Sequence, residues 1–148
     1  MEPFTEDELR LLYRLLRVVP HRRQAAGHLL DGLITYGELS DGFSTEPGGR
    51  DVDPHLGWSV PLAQIDRRCV GLFRPGHRPV LSAVVVTGRD IPTAWGQLGP
   101  ERPGAGFWGI EDDNGNLITP VQPNEGAWAA MLQAVYQQVW PAELDHLP

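Results

Sequence analysis

Tyr36 and Glu38 stand two residues apart, a phenol and a carboxyl that together could move a proton if burial tuned Glu38. A local explanation competes with this one. Thr35 and Glu38 have capping-box spacing, which would occupy the carboxylate, and Tyr36 can serve as core. Asp51, Asp53 and His55 alternate through a glycine-rich stretch, where two carboxylates and an imidazole could hold a divalent ion or exchange protons. Loop aspartates also cap turns, and no third carboxylate is placed beside them, so no metal site is expected. Tyr36, Glu38, Asp51, Asp53 and His55 are the candidate catalytic set. His21 and His28 share a helix face without further ligands. Cys69 follows two arginines, which favour a thiolate. Its spacing on a helix instead predicts a small buried hydrophobe and not a nucleophile.

Recognition chemistry has its own candidates. Arg10, Arg14, Arg17, Arg22 and Arg23 cluster near the N-terminus, and guanidinium forks suit phosphates or an acidic partner. Glu6 and Asp7 partly neutralise that face, which as a solvated helix surface would need no partner. Of the five tryptophans, Trp108, Trp128 and Trp140 read as core, whereas Trp58 and Trp95 are candidate binding anchors. All twelve basic residues are arginine. The lack of lysine removes Schiff-base chemistry, the phosphate-loop lysine and the kinase lysine.

These residues depend on the elements that carry them. Thr5 and Glu8 form a capping box, with Phe4 and Leu9 at the staple positions. Leu9, Leu12, Tyr13 and Leu16 then mark one face of a first helix, which Pro20 ends or hands on to the next. Residues 21–34 read as a second helix and Thr35 opens a third. Residues 42–57 form an irregular loop. Ser59 caps a fourth helix with Leu62, Ile65, Cys69 and Leu72 inside, and Pro75-Gly76 stops it.

Val80 to Thr87 is β-branched and nearly uncharged, the pattern of a strand buried on both faces. Residues 88–106, with three prolines and five glycines, form a long loop whose length suggests recognition. Phe107–Ile110 and Leu117–Thr119 flank Asn114-Gly115 as a hairpin, and Asn124 opens a last helix that Pro141 closes. The expectation is one α+β domain over residues 1–148. It has four N-terminal helices on a small antiparallel three-stranded sheet, a C-terminal helix and a winged-helix-like arrangement.

Composition narrows the context. With 41% hydrophobic and 21% charged residues, 148 residues can bury a core without a disulfide, and a single cysteine permits none. The acidic start lacks the basic-then-apolar pattern of a signal peptide, and no apolar run reaches a membrane span, so a cytoplasmic protein without membrane contact is expected. Residues 1–78 balance at −1, with ten Arg against eleven Asp/Glu. Residues 79–148 carry −6, with two Arg against eight Asp/Glu. The net −7 opposes non-specific nucleic-acid binding and favours a protein partner.

The segments also come in a recognisable order. Ile34-Thr35-Tyr36-Gly37-Glu38-Leu39 is followed by His55-Leu56-Gly57, the helix with Ile65 and Cys69, Arg78-Pro79-Val80-Leu81-Ser82-Ala83-Val84-Val85-Val86, and Pro103-Gly104-Ala105-Gly106-Phe107. Over about residues 34–110 this order resembles a group of small bacterial and phage proteins. They share a tyrosine-glycine-acidic-leucine opening, an apolar strand and a proline-glycine turn. The resemblance implies an architecture and brings no settled activity. A remoter similarity is to the winged-helix half of DNA alkyltransferases and alkyltransferase-like proteins. Their proline-cysteine-histidine-arginine nucleophile motif has no counterpart, since Cys69 lies between Arg68 and Val70, so alkyl transfer is not implied. The expected wing carries Glu111, Asp112 and Asp113, which repel phosphate.

The leading expectation is a non-enzymatic binding module of bacterial or phage origin, associated with mobile-element or defence biology. It would recognise a macromolecule through its arginines, Trp58, Trp95 and the two loops, without a cofactor. The alternatives are a small enzyme using the Tyr36–His55 set, and an acidic immunity or antitoxin-type partner protein using the C-terminal half.

Overall fold

The computed structural model describes residues 2–26, 30, 32–69, 79–87, 102–112 and 114–147, the side chains of 22–26 and 105 excepted. Among the described residues, four α-helices and two short strands run in the order α1 (Glu6–Ala26), β1 (Ile34–Thr35), α2 (Tyr36–Thr45), α3 (Ser59–Arg68), β2 (Val85–Val86) and α4 (Glu125–Gln137).

α1 begins as its capping box dictates. The Thr5 amide donates to Glu8 Oε1 at 3.0 Å, and the Glu8 amide donates to Thr5 Oγ1 at 3.3 Å. Leu9, Leu12, Tyr13, Leu16 and Val19 are buried along one face, and α1 packs on α2, α3 and α4. That burial carries the helix through Pro20, where the missing amide costs one backbone hydrogen bond. Residues 21–26 therefore continue α1, and three helices, not four, precede residue 70 among the described residues.

The sheet departs further from expectation. Ile34 pairs with Val85 and Thr35 with Val86 in parallel, so the described residues form two parallel strands in place of three antiparallel ones. Val80–Val86 is buried throughout, as its composition requires, but Leu81–Val84 is a 3-10 turn. Its backbone groups are satisfied without a partner strand. The Ala83 amide donates to the Val80 carbonyl at 2.9 Å, the Ser82 amide to Asp66, and Trp128 Nε1 donates to the Ala83 carbonyl at 2.9 Å. β-branched composition here reports burial, not a ladder.

The Asn114-Gly115 turn does form, with Gly115 at φ 80°, yet Glu111–Leu117 is a single antiparallel bridge. Side chains compete for the flanking amides: Thr119 Oγ1 accepts from Ile110, and Asp112 Oδ1 accepts from Asn114 and Asn116. Backbone bonds still cross the turn, the Asp112 amide donating to the Asn116 carbonyl at 2.8 Å and the Ile118 amide to the Ile110 carbonyl at 2.7 Å. The segment is therefore an irregular hairpin and not two regular strands of the antiparallel sheet on which a wing would stand.

One buried cluster runs from Phe4 to Leu144. Phe4, Phe43 and Trp58 pack ring on ring at 4.9–5.8 Å between centroids. Tyr13 closes the chain ends together by donating its hydroxyl to the Pro141 carbonyl at 2.6 Å. Cys69, the one cysteine, is fully buried in this core. Among the described residues no helix is long and apolar enough to cross a membrane.

Candidate functional site

Where β1 passes into α2, Thr35 caps the helix and sets its first residue, Tyr36, at the edge of the sheet. The Glu38 amide donates to Thr35 Oγ1 at 3.1 Å, and the Thr35 amide donates to Glu38 Oε1 at 3.2 Å. Glu38 is therefore occupied as an exposed cap. Tyr36 is half-buried, and its ring lies against Gly104, where a Cβ would come within 1.8 Å of the hydroxyl. Only a residue without a side chain fits that approach.

Tyr36 lines a pocket of about 660 Å³. Its apolar wall includes Trp58, Leu62, Val80, Phe107, Ile110 and Ile118. Its polar groups are Tyr36, His55, Ser59, Asp66, Arg67, Ser82, Thr87 and Glu111. Asp66 is the distinctive member. It stands on the last turn of α3, on the face that carries Leu62 and Cys69, and reaches the 81–84 turn. Ser82 Oγ donates to Asp66 Oδ2 at 2.5 Å, and the Ser82 amide donates to Oδ1 at 3.1 Å.

Burial pushes the Asp66 carboxyl up to about 7, against the opposing pull of the Ser82 hydroxyl and the amides of Ser82 and Leu81. No cation among the described residues pairs with it. Burial, and secondarily the Asp66 charge, raises the Tyr36 phenol. The Cys69 thiol is pushed up, chiefly by burial, which suits a core residue and not a nucleophile.

The structure thus brings together Tyr36 and His55 from the candidate catalytic set. Glu38, Asp51 and Asp53 do not line the pocket. Asp53 instead turns the loop, its Oδ1 accepting from the His55 amide at 2.8 Å, and Asp51 is exposed. No described cluster of three His, Cys, Asp or Glu side chains is placed to hold a metal ion.

The binding candidates are dispersed. Arg10 is engaged by Asp7 at 2.7 Å and Asp145 at 3.1 Å. Arg14 is exposed, and Arg17 Nη1 lies 3.0 Å from His21 Nε2. Trp58 is buried in the core, donating Nε1 to Ser40 Oγ at 2.7 Å, and is among the residues that line the pocket. Trp95, the rest of the 88–101 loop and the side chains of Arg22 and Arg23 lie outside the described residues.

Asp66 and Ser82 escape a motif reading because they are far apart in sequence and neither belongs to a familiar spacing. A signal was present nonetheless. Asp66 follows Leu62 by four residues and precedes Cys69 by three, so a carboxylate occupies the inner stripe of its helix. Ser82 is likewise a polar side chain within an otherwise apolar run. Both are anomalies that each explains in the other. No protein-family model, curated protein or solved structure matches the chain.

Proposed function

We propose that the protein acts by binding a small organic ligand in the Tyr36–Asp66–Ser82 pocket. The observation that carries this reading is the Asp66 carboxyl, held by Ser82 in the wall of a cavity of about 660 Å³ with a mixed, more apolar than polar lining. Cavities of this size and lining, with a few convergent polar groups, are where proteins hold small molecules. This reading replaces the macromolecular partner expected from the arginines and tryptophans with a small ligand held in the pocket. Support also comes from the segments themselves, since Tyr36, His55, Ser82, Gly104 and Phe107 meet there from four separate stretches of chain.

The test is amide NMR of the intact chain against a small set of neutral apolar fragments. Shifts concentrated on residues 54–67, 79–82 and 104–118 support the reading. Shifts scattered over the surface, or none at millimolar fragment, reject it.

A second reading is acid–base catalysis in the same pocket. A carboxyl raised to about 7 has both protonation states populated near neutrality, the condition for efficient proton transfer. Any turnover supported by the pocket should then be lost in Asp66→Asn while the ligand still binds. Loss of binding alone would favour the purely binding role.

A further inference from the structure

Asp66 is partly buried, and withdrawing a carboxylate from water is unfavourable unless a cation compensates it. Asp66 receives hydrogen bonds from the Ser82 hydroxyl and from backbone amides, which orient it without neutralising its charge. A carboxylate offers about four acceptor positions. The Ser82 hydroxyl and the amides of Ser82 and Leu81 use three, leaving room for one further donor. Among the described residues the nearby cations do not serve. Arg67 is exposed and forms no ion pair with Asp66, and Arg68 is drawn away to Glu6.

The balance of the pocket points the same way. Among the described lining residues the two carboxylates, Asp66 and Glu111, outnumber the one guanidinium, Arg67, when Asp66 is ionised. Tyr36 and Phe107 add aromatic surface, which attracts cations as well as flat apolar groups.

We infer that the pocket selects a compact organic cation, an ammonium on an aromatic or branched apolar body, whose N–H donates to Asp66 while the body lies among Tyr36, Phe107, Ile110 and Ile118. This rests on the small-ligand reading above and adds the charge of the ligand. A single charge-assisted hydrogen bond in a site of low polarity is stronger than its neutral counterpart. Selection therefore comes from Asp66, and the apolar walls supply affinity without regard to charge.

A proton competes with such a ligand for the same carboxylate. Among the described residues, the charged or titratable groups around Asp66 are Tyr36 on α2, His55 in the preceding loop, Arg67, Arg68 and Cys69 beside it on the chain, and Glu111 from the 110–118 segment. Tyr36 and Cys69 stay neutral near pH 7, since burial raises both. Affinity for a cation should therefore rise with pH as Asp66 loses its proton.

Three probes share one ring and differ in charge: benzylamine as its ammonium, benzyl alcohol and benzoate. Calorimetry or amide NMR on the full chain at about pH 8 is expected to rank them in that order, with the ammonium at least about tenfold tighter than the alcohol. At about pH 6 the ratio should shrink, and in Asp66→Asn it should fall to near one. The pH series uses the unaltered chain, so it tests the inference even if the variant folds poorly. Benzoate binding as tightly as the ammonium, a ratio that does not change with pH, or a preference surviving in Asp66→Asn would each overturn it. If the alcohol binds and the ammonium has no advantage, only the cation inference fails. If none of the three binds, the small-ligand reading fails with it.

Discussion

The Tyr36 hydroxyl rests so closely on Gly104 that a methyl group there would sit 1.8 Å from the oxygen. Gly104→Ala must therefore push the Tyr36 ring or the 103–107 turn aside. Overpacking of this kind costs about 1–3 kcal/mol, measured as a shift in the urea midpoint. Because the clash is with one side chain, the penalty should shrink when Tyr36→Ala is added, a coupling that a double-mutant cycle reads directly. Equal penalties in both backgrounds would place the strain in the backbone.

Asp66 should impose a pH slope on stability. Its folded carboxyl stands at about 7, against roughly 3.9 for an unfolded aspartate. Between those values the folded chain keeps a proton that the unfolded chain has released. Its contribution to stability therefore falls as pH rises from about 4, and the loss is complete above about 7. Asp66→Asn should flatten this slope, worth a few kcal/mol at most, in urea melts across that range. A wild-type slope of the opposite sign, traceable to this residue, would contradict the assignment.

Trp128 substitutes for a neighbouring strand by donating to the Ala83 carbonyl at 2.9 Å. Trp128→Phe keeps much of the apolar volume but strands that carbonyl in the core. The expected cost is about 1–3 kcal/mol, with amide exchange faster across Leu81–Val86 than elsewhere. Uniform loss of protection would mean that the indole acts by volume alone.

Thr35→Ala removes the side-chain half of the box that starts α2. Thermal unfolding should show a loss of about 0.5–2 kcal/mol. The same variant should weaken binding of benzyl alcohol, because Tyr36 is the first residue of the helix that Thr35 caps. Intact affinity would show that the Gly104 contact alone fixes the ring.

How far the sequence could be read follows from the range of each interaction. The boxes at Thr5/Glu8 and Thr35/Glu38, the Asn124 cap and the Gly115 turn are set by residues within four positions, and all form as spaced. The parallel pairing of Ile34 with Val85 was illegible, because nothing local in either segment specifies a partner so distant. Within Val80–Thr87 only Val85–Val86 is a strand, and Val80–Val84 misleads because Asp66, Met131 and Trp128 supply hydrogen-bond partners that a strand would have taken from a ladder. In the site, Tyr36 and His55 stand out by residue type. Asp66 stands out only once its helical neighbours show that it faces inward.

Cys69 provides a clock for the fold. It is the chain's one thiol and has no accessible surface in the folded state. A thiol reagent added to the native protein can therefore react only through molecules that have opened around α3 and its neighbours. With reagent in excess, the labelling rate measures how often that core breathes, without an engineered probe. Since α3 also carries Asp66, slower labelling in the presence of a pocket ligand would register occupancy as a change in opening frequency.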